Sequence, residues 1–283
     1  MHSLVGTLCI IAVFATGVEM SGNGNALRRA IIWMLAGIAS VALTAIMFFP
    51  ATWMAYMVEK QTAGRLTLGD AHGTLWRGSA FIGGAASGGD PLTPLLPGRF
   101  SWRLSPLVLL GSVDAELENA EALSQPVGVQ GNWRQWQVSP GAIVLPAERL
   151  AALGAPLNTV QPSGQMRLSW EPLQLTRQNG KIEMTGAMNL AMNDLGSRLS
   201  PVKPLGSYDL ALAWHGTQAD VTLKTVKGPM LLSGSGMFTN GRLQFSGTAQ
   251  AEAGQEQRLA NFLNLLGQRR REGDKDVIGL EFK

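Results

Sequence analysis

The sequence predicts a mainly β protein. A single N-terminal transmembrane helix is followed by a large antiparallel, curved sheet of half-pipe or open-barrel type, with two or three short helices. Three observations lead there. The stretch from Ala30 to Phe49 contains no Asp, Glu, Lys, Arg, Asn, Gln or His. From Arg65 onward apolar and polar residues alternate in short runs, which marks strands with one dry face and one wet face. The 283 residues include 34 glycines and 14 prolines. Both break helix interiors, whereas many short strands joined by turns use them naturally.

The apolar stretch opens after Arg28-Arg29 and closes at Phe48-Phe49-Pro50. A helix crosses a bilayer core with roughly 20 apolar residues at about 1.5 Å rise each. Trp33 lies near one end, and Trp53 and Tyr56 lie past the other, where amphipathic rings favour the headgroup layer. A soluble helix of this length would show a polar face. Arg28 and Arg29 place the N-terminus in the cytoplasm by the positive-inside rule, against Lys60 and Arg65 on the other side. Upstream, Leu4 to Val18 is apolar but too short to span, and it lacks the basic start of a signal peptide. The expectation is that translation begins at Met20; the rival is a short second span paired with the first through Ser21 to Asn25. The plan is then a segment 1–29 ending in a cytoplasmic tail, a transmembrane helix 30–49, a juxtamembrane helix 50–64 and a β domain 65–283 outside the cytoplasm.

Past the anchor, Ala51 to Thr62 reads as a short helix ended by Gly64. Trp53, Met54, Met57 and Val58 form its stripe, set against packing or the membrane surface. Leu66 and Leu68 begin a strand, and Gly73 to Ala80 reads as an aromatic strand with glycine at both shoulders. Phe100, Trp102 and Leu104 share one face of the next. Ile182, Met184, Met188, Leu190 and Met192 share another, and so do Tyr208, Leu210, Leu212 and Trp214. Val221 with Leu223, and Leu243 with Phe245, continue the series. Asn179-Gly180 and Asn240-Gly241 are hairpin turns, with further turns at His215-Gly216 and Gly228-Pro229. Two short helices are expected. One runs from Pro146 to Leu153 before Gly154. The other runs from Glu256 to Leu266 before Gly267, with Leu259, Phe262, Leu263 and Leu266 on one face. Val277 to Phe282 is the last strand. Ala85 to Pro97 and Leu199 to Gly206 are loops, and the second is placed to divide two sheet subdomains.

The residues offer no reactive constellation. The net charge is +3 and the cations are scattered, unlike the basic face of a nucleic-acid binder. The single cysteine is Cys9, so an intrachain disulfide is excluded. His2, His72 and His215 are far apart and lack metal-ligand spacing. No phosphate loop, nucleophile elbow or dinucleotide fingerprint is present. Ser233-Gly234-Ser235-Gly236 lacks the following helix that phosphate binding requires. Met184, Met188 and Met192 have the soft ligands of a copper site, but their dry-face positions favour core packing. Arg269-Arg270-Arg271 suits anionic lipid or an acidic partner; the plainer reading is cations at the C-terminal end of the last helix. No catalytic, cofactor-binding or metal-binding residue is assigned, and no enzymatic activity, cofactor, nucleic acid or small-molecule substrate is expected.

The order of motifs resembles protein N of the bacterial type II secretion system. The likeness runs through Pro50-Ala51-Thr52-Trp53, Val58-Glu59, Gly64-Arg65-Leu66, Gly73-Thr74-Leu75-Trp76-Arg77-Gly78-Ser79-Ala80 and Trp102-Arg103-Leu104-Ser105-Pro106. It returns in Leu223-Lys224-Thr225, Gly228-Pro229-Met230-Leu231-Leu232-Ser233-Gly234-Ser235-Gly236 and Phe245-Ser246-Gly247, and in Leu263, Leu266 and Gly267 of the final helix. The resemblance implies a bitopic inner-membrane protein with a periplasmic β domain. It would be accessory to a machine that exports folded proteins across the outer membrane, without enzymatic activity or cofactor. Its expected partners are other secretion components and inner-membrane lipid. A rival from a different class is a membrane-anchored periplasmic protein whose β-groove handles lipid.

Overall fold

The structure, a computed structural model, describes residues 24–62, 66–84, 93–153, 157–178, 180–239, 242–272 and 275–282. The expectations for the segment before Met20, for Gly64 and Gly154, for residues 85–92 of the Ala85 to Pro97 loop, and for Asn179 and Asn240-Gly241 lie outside the described residues. The chain divides into two units, Met1–Phe48 and Phe49–Lys283.

In the first unit the apolar stretch forms helix α1, Gly24–Met47. It begins upstream of the two arginines and stops short of Phe49, because a residue preceding proline is pushed out of the α region. Residues Leu27–Met47 have a mean hydropathy of 2.2 and none is buried. A core helix of a soluble fold would be covered, and this one is exposed along its length. Its Thr44 hydroxyl is satisfied internally, donating to the Ser40 carbonyl at 2.9 Å. The helix is long and apolar enough to cross a bilayer.

The second unit opens with helix α2, Thr52–Gln61, and then becomes a meander. Strands β1 (Leu66–Gly73), β2 (Arg77–Gly84), β3 (Thr93–Pro94) and β4 (Phe100–Leu104) come first. After a 3-10 turn at Pro106–Leu110 come β5 (Ser112–Glu118), β6 (Val127–Asn132), β7 (Gln135–Val138) and β8 (Gly141–Pro146). A second 3-10 stretch, Ala147–Leu153, and helix α3, Leu157–Val160, lead to β9 (Pro162–Trp170) and β10 (Leu173–Gln178). Next are β11 (Lys181–Ser197), β12 (Gly206–Gly216), β13 (Gln218–Lys227), β14 (Met230–Thr239) and β15 (Arg242–Ala251). Helix α4 (Glu256–Leu266), β16 (Gln268–Glu272) and β17 (Lys275–Phe282) finish the chain.

Every pairing between these strands is antiparallel, and most join chain neighbours, while β2 also pairs with β4. Val138 faces Leu173 and Gly141 faces Trp170, so β7 with β8 and β9 with β10 share one register. Pro140 and Pro172 sit where that long ladder is interrupted, since proline donates no ladder hydrogen bond. The 17-residue β11 is the spine. It carries β10 and then β9 along one side and β12 along the other. A further departure from neighbour pairing is at the C-terminus, where β17 pairs with β15 and β16 lies outside it. No pairing joins β1 to β16 among the described residues, and the sheet is open, as the alternation predicted.

Four expectations change. Gly73 to Ala80 is not one strand but a hairpin: Gly73 ends β1 with φ of 90°, and a side chain there would meet the Arg77 carbonyl at 2.4 Å. Glycine alone accepts that reversal, so Trp76 lies in a turn. The loop between β11 and β12 does not divide the sheet, because its Val202 and Leu205 are buried in the core and the two strands pair throughout. Arg269-Arg270-Arg271 belongs to β16, not to a helix end, since pairing with β17 claims the backbone immediately after Gly267. The segment before Gly154 is a 3-10 helix, the tighter form used in short pieces.

Two hydrophobic clusters hold the second unit. Tyr208, Val221, Phe245 and Ala249 on the strands meet Leu259, Phe262 and Leu263 of α4, the face that helical spacing selected. Phe100, Ala122, Leu123 and Val127 form the smaller cluster, with Ile143 and Trp170 against it.

Candidate interaction surface

The sheet separates chemistry by face. Tyr208, Leu210, Leu212 and Trp214 point to the side that α4 covers, opposite Met192, Leu190, Met188 and Gly186 on β11. The opposite side presents Thr185, Lys224, Ser235, Gln244 and Ser246, all exposed. The three methionines lie on the dry face, and Met192 packs against the larger cluster. Trp214 stacks edge-on to Phe238 at 5.6 Å, and its indole Nε1 is buried without a hydrogen-bond partner.

The glycine-rich run of β14 has a packing role. A side chain at Gly234 would meet the Phe245 ring at 2.4 Å, and one at Gly236 would meet the Gln244 carbonyl at 2.3 Å. The glycines let Phe245, which is buried, lie flat across β14. Gly267 acts similarly: a side chain there would meet the Gly279 carbonyl at 2.3 Å, so glycine admits β17 close to the end of α4.

Both surviving histidines of the described chain are exposed. His72 accompanies a group that spacing did not reveal. Asp70, at φ of 51° in a bulge of β1, takes the Arg99 guanidinium on its carboxylate at 2.5 Å and on its carbonyl at 2.9 Å. Arg99 also lies 4.7 Å above the Phe81 ring. The partners are 29 residues apart in the chain, and only the β1–β2–β4 pairing unites them. His215 stands 3.8 Å from Asp220. Among the described residues no three of His, Cys, Asp and Glu gather closely enough to hold a metal. Burial pushes the Tyr208 phenol well above its usual range, and its hydroxyl donates to the Met230 carbonyl at 2.9 Å.

The two sheet edges differ. At β1 the Thr62 hydroxyl bonds both the amide and the carbonyl of Leu66, at 3.1 and 3.0 Å, and the Asp70 bulge breaks the line. At β16 no strand pairs with the outer edge among the described residues. Arg270 reaches Glu281 at 2.7 Å and Arg269 reaches Asn264 at 2.9 Å. A charged edge resists indiscriminate strand addition and leaves room for a chosen partner. On α2, Met54, Ala55 and Val58 are half-buried while Trp53, Tyr56 and Met57 are exposed, so the predicted stripe splits between two faces.

The family model for type II secretion system protein N matches residues 64–277. Neither a curated protein nor a solved structure shows significant similarity to the chain. The matched span reaches from the chain before β1 into β17, taking in the smaller cluster, most of the larger one, the glycine-seated Phe245 and the β16 edge. With that match over most of its length, the chain belongs to the type II secretion system protein N family.

Proposed function

We propose that the chain is a single-pass inner-membrane accessory component of type II secretion, working as a scaffold without catalysis. In this reading α1 spans the membrane, the N-terminus is cytoplasmic and residues 65–283 form the periplasmic domain. Residues 50–64 join the two. The observation that carries the contact role is the arginine-bearing outer edge of β16, which no strand pairs among the described residues. An edge strand takes a partner strand by backbone hydrogen bonds, and its side chains select which one. Acidic side chains on the partner would complement Arg269, whose neighbour Arg270 is already paired with Glu281. Photo-crosslinkers placed in cells at Arg270, Thr185 and Gln244 test this. Recovery of a secretion component from the edge position supports the scaffold, and recovery from none of the three sinks it.

A second reading rests on Trp214. Its buried, unpartnered N–H faces the dry side beside half-buried Met188 and Leu212, where an ester or headgroup oxygen of a lipid would satisfy it. Phospholipid that copurifies with the wild type, and is lost in Trp214→Phe, favours lipid handling. Protein free of lipid excludes it.

A further inference from the structure

One end of the sheet carries an apolar rim that the core does not use. The chain arrives there: the Phe49 carbonyl accepts from the Leu75 amide at 2.8 Å, and the Ala51 amide donates to the Gly73 carbonyl at 3.1 Å. From this point the rim continues by direct bonds. The Leu104 amide donates to the Trp76 carbonyl at 2.7 Å. The Ser105 hydroxyl caps the 3-10 turn by accepting from the Leu107 amide at 3.3 Å. The Trp133 indole, in the β6–β7 hairpin, donates back to the Val108 carbonyl at 2.5 Å. Yet Leu107, Leu109, Leu110 and Trp133 are 54%, 50%, 83% and 56% exposed. A cavity of about 500 Å³ beside them is lined by Val113, Val129, Trp133, Trp136 and Arg177.

Charge is distributed to match. The turn segments 105–111, 132–135 and 177–181 contain no Asp or Glu, and they carry Arg134, Arg177 and Lys181, all exposed. The acids of the adjoining β5, Asp114 and Glu116, project from the polar face. At the opposite end of the sheet the connections mix both signs, holding Glu121 and Glu252 with Arg149, Arg198 and Lys203. Exposed leucines and a tryptophan on turns whose charged residues are cations form the pattern that seats at an anionic bilayer surface, apolar groups at the acyl boundary and cations among phosphates. Soluble surfaces rarely leave such a patch uncovered.

We infer that this rim docks onto the anionic lipid surface of the membrane into which the preceding apolar segment inserts. Strands β4 to β7 then meet the bilayer end-on through the 105–111 turn and the β6–β7 hairpin. The inference rests on the anchor reading above and adds a second, non-covalent attachment to it. An acidic protein is the competing occupant.

The test uses the full chain in a Cys9→Ser background, reconstituted in nanodiscs of phosphatidylethanolamine and phosphatidylglycerol. Spin labels are placed singly at Leu110→Cys, Leu109→Cys, Lys203→Cys and Leu35→Cys. The Leu109 and Leu110 labels should favour oxygen over a water-soluble nickel complex several-fold more than the Lys203 label at the far end. The double change Arg134→Glu with Arg177→Glu should reduce that preference. Labels at Leu109 and Leu110 as open to nickel as Lys203, or shielded from both reagents as under a protein, would overturn the rim. If Leu35 itself is open to nickel, the anchor reading fails and takes the rim with it. If Leu35 is lipid-buried and Leu110 is not, the rim alone fails.

Discussion

The two hydrophobic clusters of the sheet are closed by different means. The larger cluster is covered by α4, an amphipathic helix that contributes Leu259, Phe262 and Leu263 from one face. The smaller one, around Phe100 and Val127, is held by the loop that follows β5. That loop is pinned by one buried side chain. The Asn119 Oδ1 accepts from the Glu121 and Ala122 amides, both at 2.8 Å, while its Nδ2 donates to the Pro97 carbonyl at 2.9 Å. Closure by a helix spreads the stabilisation over several apolar side chains. Closure by a pinned loop concentrates it in a polar hinge. The first fails by cavity formation, the second by desolvated amides.

Substitutions separate these modes in order of size. Leu259→Ala, at 0% exposure, should cost about 3 kcal/mol, in the range of buried leucine truncations. Denaturant unfolding of the detergent-solubilised chain should show the whole second unit weakened. Asn119→Ala should cost about 2 kcal/mol, because buried amides lose their acceptor. Hydrogen exchange should then quicken mainly in residues 97–124, and equal loss under α4 would erase the contrast drawn between the clusters.

Tyr208→Phe leaves the Met230 carbonyl without its donor and should cost about 1 kcal/mol at neutral pH. Its pH dependence is more telling. The folded phenol has its pKa raised by burial, so its contribution is complete below about pH 10, the pKa of an unfolded tyrosine. That contribution is lost as pH rises through the folded value. Wild-type stability should decline above about pH 10, and the Phe variant should decline less. Parallel alkaline curves would show that Tyr208 is not the group responsible. The smallest effect belongs to Leu110→Ala, which at 83% exposure should stay within about 0.5 kcal/mol in detergent. A larger loss there would mean that the rim packs within the domain.

Much of the fold was legible because it is written in local period. The apolar face of α4 and the alternation in β12 to β15 each follow from geometry along one element. The open edge and its chemistry were less legible. Arg269-Arg270-Arg271 directly follows a helix, and its spacing suits a helix end; only the β17 partner makes it a strand. Asp70 and Arg99 carry no shared motif, since their proximity is set by two hairpins. The exposure of Leu107, Leu109 and Leu110 leaves no mark in the local pattern and is set by the 3-10 turn that carries them.

What the chain determines alone is therefore periodicity and punctuation: an uncharged stretch long enough to cross a bilayer, strands with one dry face, and glycines where the backbone must reverse or approach closely. Each is a relation among residues a few positions apart, enforced by sterics and by the period of helix or strand. The tertiary structure decided which strands lie beside one another, which edge stays free, and which apolar residues remain outside both clusters. Those outcomes depend on contacts between distant segments, where burial of the whole dry face selects one register among many locally acceptable ones.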